Sequence, residues 1–243
     1  MRILAFAKRN IKEILRDPLN LFFGVGFPLV LLALLSAMQA NIPLPLFEIG
    51  SLAPGVTVFG FSFITLFSAT MISKDRSSAF LWRLYTTPMT SADFILGYTL
   101  PLLPISLLQS AVCYGVALLL GLVPSVNILY ALLSGLPVSL LYISLGLLCG
   151  SILNEKQVGG VCGALLTNLS AWLSGIWFDL ALLGKTFEKI ARLLPFFHAV
   201  ELQRAVINGS FEEVLSHLLW VFLYDALLLF AAVTLFLKQM KKQ

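Results

Sequence analysis

Charge is what this sequence has least of. Between Phe94 and Leu153 sixty residues pass without an Asp, Glu, Lys or Arg. The whole chain is 12% charged and 59% hydrophobic, with a mean hydropathy of +0.94. Soluble globular chains carry about 25% charged residues. Twelve acids and sixteen bases cannot cover a 243-residue water-soluble protein when the uncharged runs are this long. Histidine and cysteine are scarcer still. His198 and His217 read as interfacial polar residues. Cys113, Cys149 and Cys162 each sit in an apolar run without a Cys-x-x-Cys pair, and read as small buried hydrophobes rather than metal ligands.

The motifs of enzyme chemistry are missing too. There is no Walker A loop, no Gly-x-Ser-Gly and no His-Glu-x-x-His. Gly159-Gly-Val-Cys-Gly163 follows no strand and lacks the Lys-Ser/Thr pair, so it reads as small residues for close helix packing, as do Gly146 and Gly150. The chain is therefore expected to be no enzyme and to bind no cofactor or metal of its own. Its net charge of +4 fits cationic cytoplasmic loops better than a nucleic-acid surface. The start of the chain does not read as a cleavable signal peptide, because its basic part is long and patterned.

What is present is a series of apolar runs. A bilayer core about 30 Å thick needs about 20 apolar residues of helix, and backbone groups inside it must be paired internally. The expectation is an all-α integral membrane protein, a single transmembrane domain over residues 1–243 with six spans at about 19–40, 54–73, 94–122, 127–153, 158–178 and 214–237. The run from Phe94 to Leu153 would be about 90 Å long as one helix, so it must fold back at Gly121-Leu-Val-Pro124-Ser125. Residues 2–17 form an amphipathic helix suited to the interface. Asp17-Pro18, Thr90-Ser-Ala-Asp93 and Ser210-Phe-Glu-Glu213 are helix-start signals, and Asn154-Glu-Lys-Gln157 is a tight polar turn. Residues 180–209 are too polar to span and predict short extracellular helices against or dipping into the interface. Six spans put both termini on one side, and the loops on that side carry twelve Lys and Arg against four opposite. The cation bias places the termini in the cytoplasm of a multi-pass cell-membrane protein.

Two features stand out from this frame. Asp225 lies mid-span in the sixth segment, where a carboxylate is costly unless it faces a cavity or a partner. It is either a pathway residue or a structural hydrogen bond. The second is the charged island Lys74-Asp-Arg-Ser-Ser-Ala-Phe-Leu-Trp-Arg-Leu-Tyr-Thr-Thr-Pro88 between spans two and three. Phe80, Leu81, Leu84 and Tyr85 recur at helical spacing, Ser77 or Ser78 can cap the start, and Pro88 ends it. Apolar residues on an exposed helix predict a partner protein.

Residues 74–97 resemble the cytoplasmic signature of type-2 ATP-binding-cassette (ABC) transporter permeases. Arg83, Leu84, Thr87, Pro88, Phe94 and Gly97 match that pattern; Ser78, Ala79 and Leu81 stand where Gly, Thr and an acid are common. Leu194-Pro-Phe-Phe-His-Ala-Val-Glu-Leu-Gln-Arg204 and the basic start before Asp17-Pro18 are similar to the family as well, so the resemblance covers nearly the whole chain. It implies a permease subunit of an exporter, paired with a second permease copy or paralogue in the lipid bilayer. It also implies separate ATPase subunits, which hold the ATP and Mg. Residues 75–88 would form the coupling helix, with Phe80, Leu81, Leu84, Tyr85 and Pro88 against the ATPase and Arg83 paired with an acid there. Asn154, Glu155 and Lys156 would make a second, smaller contact. The apolar interior suits a hydrophobic drug, peptide or lipid-like substrate. The alternatives are an ATPase-independent secondary transporter or a peptide-immunity membrane protein, neither of which needs a docking helix. A secondary transporter should also show inverted repeats and several intramembrane ionisable residues.

Overall fold

The computed structural model describes residues 2–42, 47–78 and 90–241, and among these the secondary structure is helical with no strand. Helix α1 (Arg2–Leu15) is followed by α2 (Pro18–Leu21), which runs through a π-helical turn (Phe22–Gly26) into α3 (Phe27–Gln39). Then come α4 (Ile49–Ser77), α5 (Ser91–Leu119) and α6 (Asn127–Ile152). Next, α7 (Glu155–Val158) passes through a second π-helical stretch (Gly159–Leu166) into α8 (Thr167–Leu173). A 3₁₀ turn (Leu180–Leu183), α9 (Lys185–Leu193) and α10 (Pro195–Asn208) precede α11 (Phe211–Lys241).

Two of the expected helix-start signals act as caps. Asp17 accepts from the Asn20 backbone N–H and its side-chain amide. Thr90 and Asp93 form a reciprocal capping box. Asn154 and Gln157 form another, so the expected polar turn is the first turn of α7. Gly121 adopts φ +106° at the α5–α6 turn, a value that only glycine reaches without strain.

Among the described residues five stretches are long and apolar enough to cross a membrane: Phe22–Gln39, Ile49–Ser77, Ala92–Leu119, Asn127–Ile152 and Phe211–Leu235. The segment expected as the fifth span is helical from Glu155 to Leu173 and is not one of these five. Glu155, Lys156, Gln157 and Asn168 dilute its hydropathy. It stops five residues short of Phe178, because Gly175 turns the chain with φ +71°.

Helix α4 is the core of the bundle. It is buried almost all round, packing on α3, α5, α6 and α10, as a helix apolar on every face must. Its tightest contact is with α6. A Cβ on Gly146 or Gly150 would meet Thr65, Ser68, Ala69 or Ile72 of α4. Thr65 donates to the Tyr142 carbonyl at 2.7 Å and Ser68 to that of Ile143 at 3.3 Å. Small residues let two backbones approach, and the hydroxyls then reach across. In the Gly159–Gly163 cluster, Gly159 and Gly160 face open space and Gly163 lies in ordinary contact with Leu66 of α4, so the closest approach is at Gly146 and Gly150.

The buried tyrosines of the bundle are each hydrogen-bonded. Tyr98 donates to Asp75, Tyr114 to Gln203, and Tyr142 shares a 2.6 Å bond with Ser170. Helix α10, expected at or near the interface, has Pro195–Val200 buried, and it packs on α4, α6 and α11.

Candidate functional site

Phe80, Leu81, Arg83, Leu84, Tyr85 and Pro88 lie outside the described residues. Helix α4 continues to Ser77, so Asp75, Arg76 and Ser77 form its last turn rather than the start of a separate helix. Ser78 is extended, and the chain is described again at Thr90, the cap of α5.

The two roots of the segment are tied to α1. Arg9 grips Asp75 through both guanidinium ends, at 2.6 and 2.7 Å, a fork geometry specific to Arg and carboxylate. The Tyr98 hydroxyl on α5 donates to the same carboxylate at 2.9 Å. Asn10, wholly buried, donates to the Gly97 carbonyl of α5 at 2.9 Å. Phe6 lies directly over Gly97, where any Cβ would collide with its ring. Glu13 completes the cluster, binding Arg9 at 2.8 Å and Lys74 at 3.6 Å. Burial alone would lower the Arg9 pKa. The hydrogen bond and charge of Asp75, aided by Glu13, outweigh that and hold it above its ordinary value. Asp75 is 3% exposed, so inside the protein its carboxylate depends on these partners.

Arg76 extends the same root sideways. Its guanidinium donates to the Gly150 carbonyl at 2.8 Å and to that of Leu153 at 3.3 Å, closing the carboxyl end of α6. Asn154, Glu155 and Lys156 follow immediately, exposed at the start of α7. The end of α4 therefore touches both places where a cytoplasmic contact is expected.

Inside the bundle, Asp225 of α11 is 3% exposed and neither carboxyl oxygen has a hydrogen-bond partner among the described residues. A polar chain lies elsewhere: Tyr114 donates to Gln203 at 3.0 Å, and Gln203 donates to Ser134 at 2.9 Å. At the end opposite α1, Arg204 donates to the Ser51 and Gly175 carbonyls and pairs with Glu201. His198 and His217 face each other through Nδ1 at 2.9 Å, and His198 stacks on Trp220. Burial, with His217 next, lowers the His198 pKa. Cys113, Cys149 and Cys162 are unbridged.

The sequence reading passed over Arg9, Asp75, Arg76, Tyr98 and Gln203. Asp75 and Arg76 carry a usable signal: they continue the helical register of α4 beyond Ser73 with no break residue between. Gln203 and Arg204 sit in the stretch Leu194–Arg204, which resembles the family, and their partners explain that stretch.

A family model described as ABC-2 type transporter matches residues 1–208. The ycf38 protein of Pyropia yezoensis, which bears the name of a transport permease, is 27% identical over 232 residues, covering 90% of this chain and 79% of its own length.

Proposed function

The chain belongs to the ABC-2 type transporter family of membrane proteins, and from that premise we propose that it is the permease subunit of an ATP-driven exporter whose ATP is hydrolysed by a separate subunit. The observation that carries this reading is the double root of residues 79–89. Asp75 at the end of α4 and Tyr98 near the start of α5 meet on one carboxylate held by Arg9. A push on the intervening segment would reach both helices together instead of being absorbed by a loose loop. Phe80, Leu81, Leu84, Tyr85 and Pro88 would dock in the ATPase, Arg83 would pair with an acid there, and Asn154, Glu155 and Lys156 would make the second contact. Arg76 supports the link between the two.

In this reading the α7–α8 helix is the sixth crossing, counted fifth along the chain. It starts beside Leu153, bound by Arg76 of α4, and the chain beyond it reaches Gly175, which Arg204 ties to Ser51 at the other end of α4. The cation bias then puts α1, the 79–89 segment and both termini in the cytoplasm of a cell-membrane protein. A second permease copy or paralogue completes the pathway, ATP and Mg stay in the partner, and Asp225 is the candidate pathway residue for a hydrophobic drug, peptide or lipid-like substrate. Purification from the native membrane tests the assignment. A stoichiometric companion with Walker motifs supports it, and a permease that purifies without one overturns it.

A further inference from the structure

A cleft of about 900 Å3 opens between α1, α2 and α4. The face of α1 turned into it is the polar one: Lys8, Arg9, Lys12, Glu13 and Arg16 line it, with Lys74 from α4. The opposite stripe of α1, Phe6, Ala7 and Asn10, is buried against the bundle. The charges in the cleft do not cancel. Arg9 is committed to Asp75 and Glu13, Glu13 also takes Lys74, and both Asp17 oxygens are held by Asn20. Lys8, Lys12 and Arg16, one helical turn apart, carry no ion pair among the described residues. The floor beneath them is Phe67, Thr70 and Met71 of α4, apolar except for one hydroxyl.

We propose that this cleft binds the headgroup of an anionic glycerophospholipid, with the phosphate against Lys8, Lys12 and Arg16 and the glycerol and upper acyl chain over Phe67 and Met71. The inference rests on α1 lying at the membrane interface and not on the ATPase assignment. Basic pockets between membrane helices on the cytoplasmic side are suited to such headgroups. The volume is of the order of a small-ligand site, roughly 300–1,000 Å3. The combination of three uncommitted cations above an apolar floor matches a lipid better than a free anion, which has nothing to set against Phe67 and Met71. It also matches a lipid better than an acidic protein surface, which could not fill a cleft at membrane depth.

The test is native mass spectrometry of the full chain in mild detergent, with phosphatidylglycerol, phosphatidylcholine or inorganic phosphate added, alongside the thermal midpoint. The expected result is retention of phosphatidylglycerol and a midpoint raised by it alone. In Lys8→Gln/Lys12→Gln/Arg16→Gln, retention should weaken on the order of a hundredfold, the scale of three cations at an anionic surface. The control Lys185→Gln/Lys189→Gln/Lys238→Gln should bind as wild type does. Thr70→Trp, which fills the floor and leaves every cation, should also lose the lipid, so the proposal does not depend on the triple variant folding. Equal retention of phosphatidylcholine, stabilisation by inorganic phosphate to the same degree, or phosphatidylglycerol binding unchanged in Thr70→Trp would each overturn it. So would a triple variant that keeps the lipid and loses a protein companion, which would make the stripe a docking surface.

Discussion

Arg9 and Asp75 stand sixty-six residues apart in sequence and share two hydrogen bonds, at 2.6 and 2.7 Å, with Asp75 almost wholly buried. One side chain on an amphipathic helix thus fixes the end of the central helix of the bundle. Removing either partner strands the other, and stranding a buried charge costs far more than the intact pair contributes. Arg9→Gln should lower stability by roughly 3 kcal/mol. Arg9→Leu with Asp75→Leu should cost less than Arg9→Leu alone. Thermal midpoints of the single and double variants in detergent check this.

Gly97 lies under the Phe6 ring, closer than any Cβ can be tolerated. Gly97→Ala should push α1 off α5 and cost about 1–3 kcal/mol, the usual price of overpacking. Phe6→Ala in the same chain should recover part of that loss. The midpoints of the two variants decide it, and an unaltered Gly97→Ala midpoint would mean that α1 does not pack where the structure has it.

Asp225 has no hydrogen-bond partner among the described residues for either oxygen. A buried carboxyl kept only for folding would be satisfied, whereas one kept for transport can be left waiting for a donor. Asp225→Leu should therefore hold stability or raise it, by about 1–3 kcal/mol if the desolvation penalty is relieved in full, so that the thermal midpoint does not fall, while lowering transport in vesicles. A fall in the midpoint with transport intact would make it a structural residue.

His198 gives a pH dependence whose sign follows from geometry. The Arg192 carbonyl can only accept, so His198 Nε2 donates to it and a neutral His198 leaves Nδ1 to accept from His217. Burial and His217 lower the His198 pKa in the folded protein, with Arg192 and Glu201 also facing it and Glu213 facing His217. A depressed pKa means that the fold favours the neutral ring. Its stabilisation is complete above the unfolded value of about 6.5 and is lost as pH falls below it. Between about pH 7.5 and about pH 5.5 the wild-type midpoint should fall more than that of His198→Gln, which starts lower and changes less.

Much of the architecture was legible because the bilayer imposes it. The Gly121 turn and the Thr90–Asp93 box are local signals, and each appears where the sequence puts it, whereas the stretch expected as the fifth span is not among the helices long and apolar enough to cross. The end of α4 was misread because Lys74, Asp75 and Arg76 look like loop charges. Their partners are Arg9 and Glu13 on α1 and the carbonyls of α6, and no local pattern announces a contact across sixty-six residues. The burial of α10 was missed for the same reason. Gln203 and Arg204 read as surface polarity until Tyr114, Ser134, Ser51 and Gly175 supply their hydrogen bonds. The α7–α8 helix ends early because Gly175 takes a positive φ, which composition alone does not reveal.

The central claim is that residues 79–89 carry the movement of a separate ATPase into α4 and α5. The most direct measurement is transport and ATP hydrolysis by the purified permease–ATPase complex reconstituted in vesicles, comparing wild type with Leu84→Ala/Tyr85→Ala. The account predicts that the variant inserts and folds as wild type does, loses transport, and no longer retains the ATPase through purification. Wild-type transport by that variant, with the ATPase still bound, would contradict it.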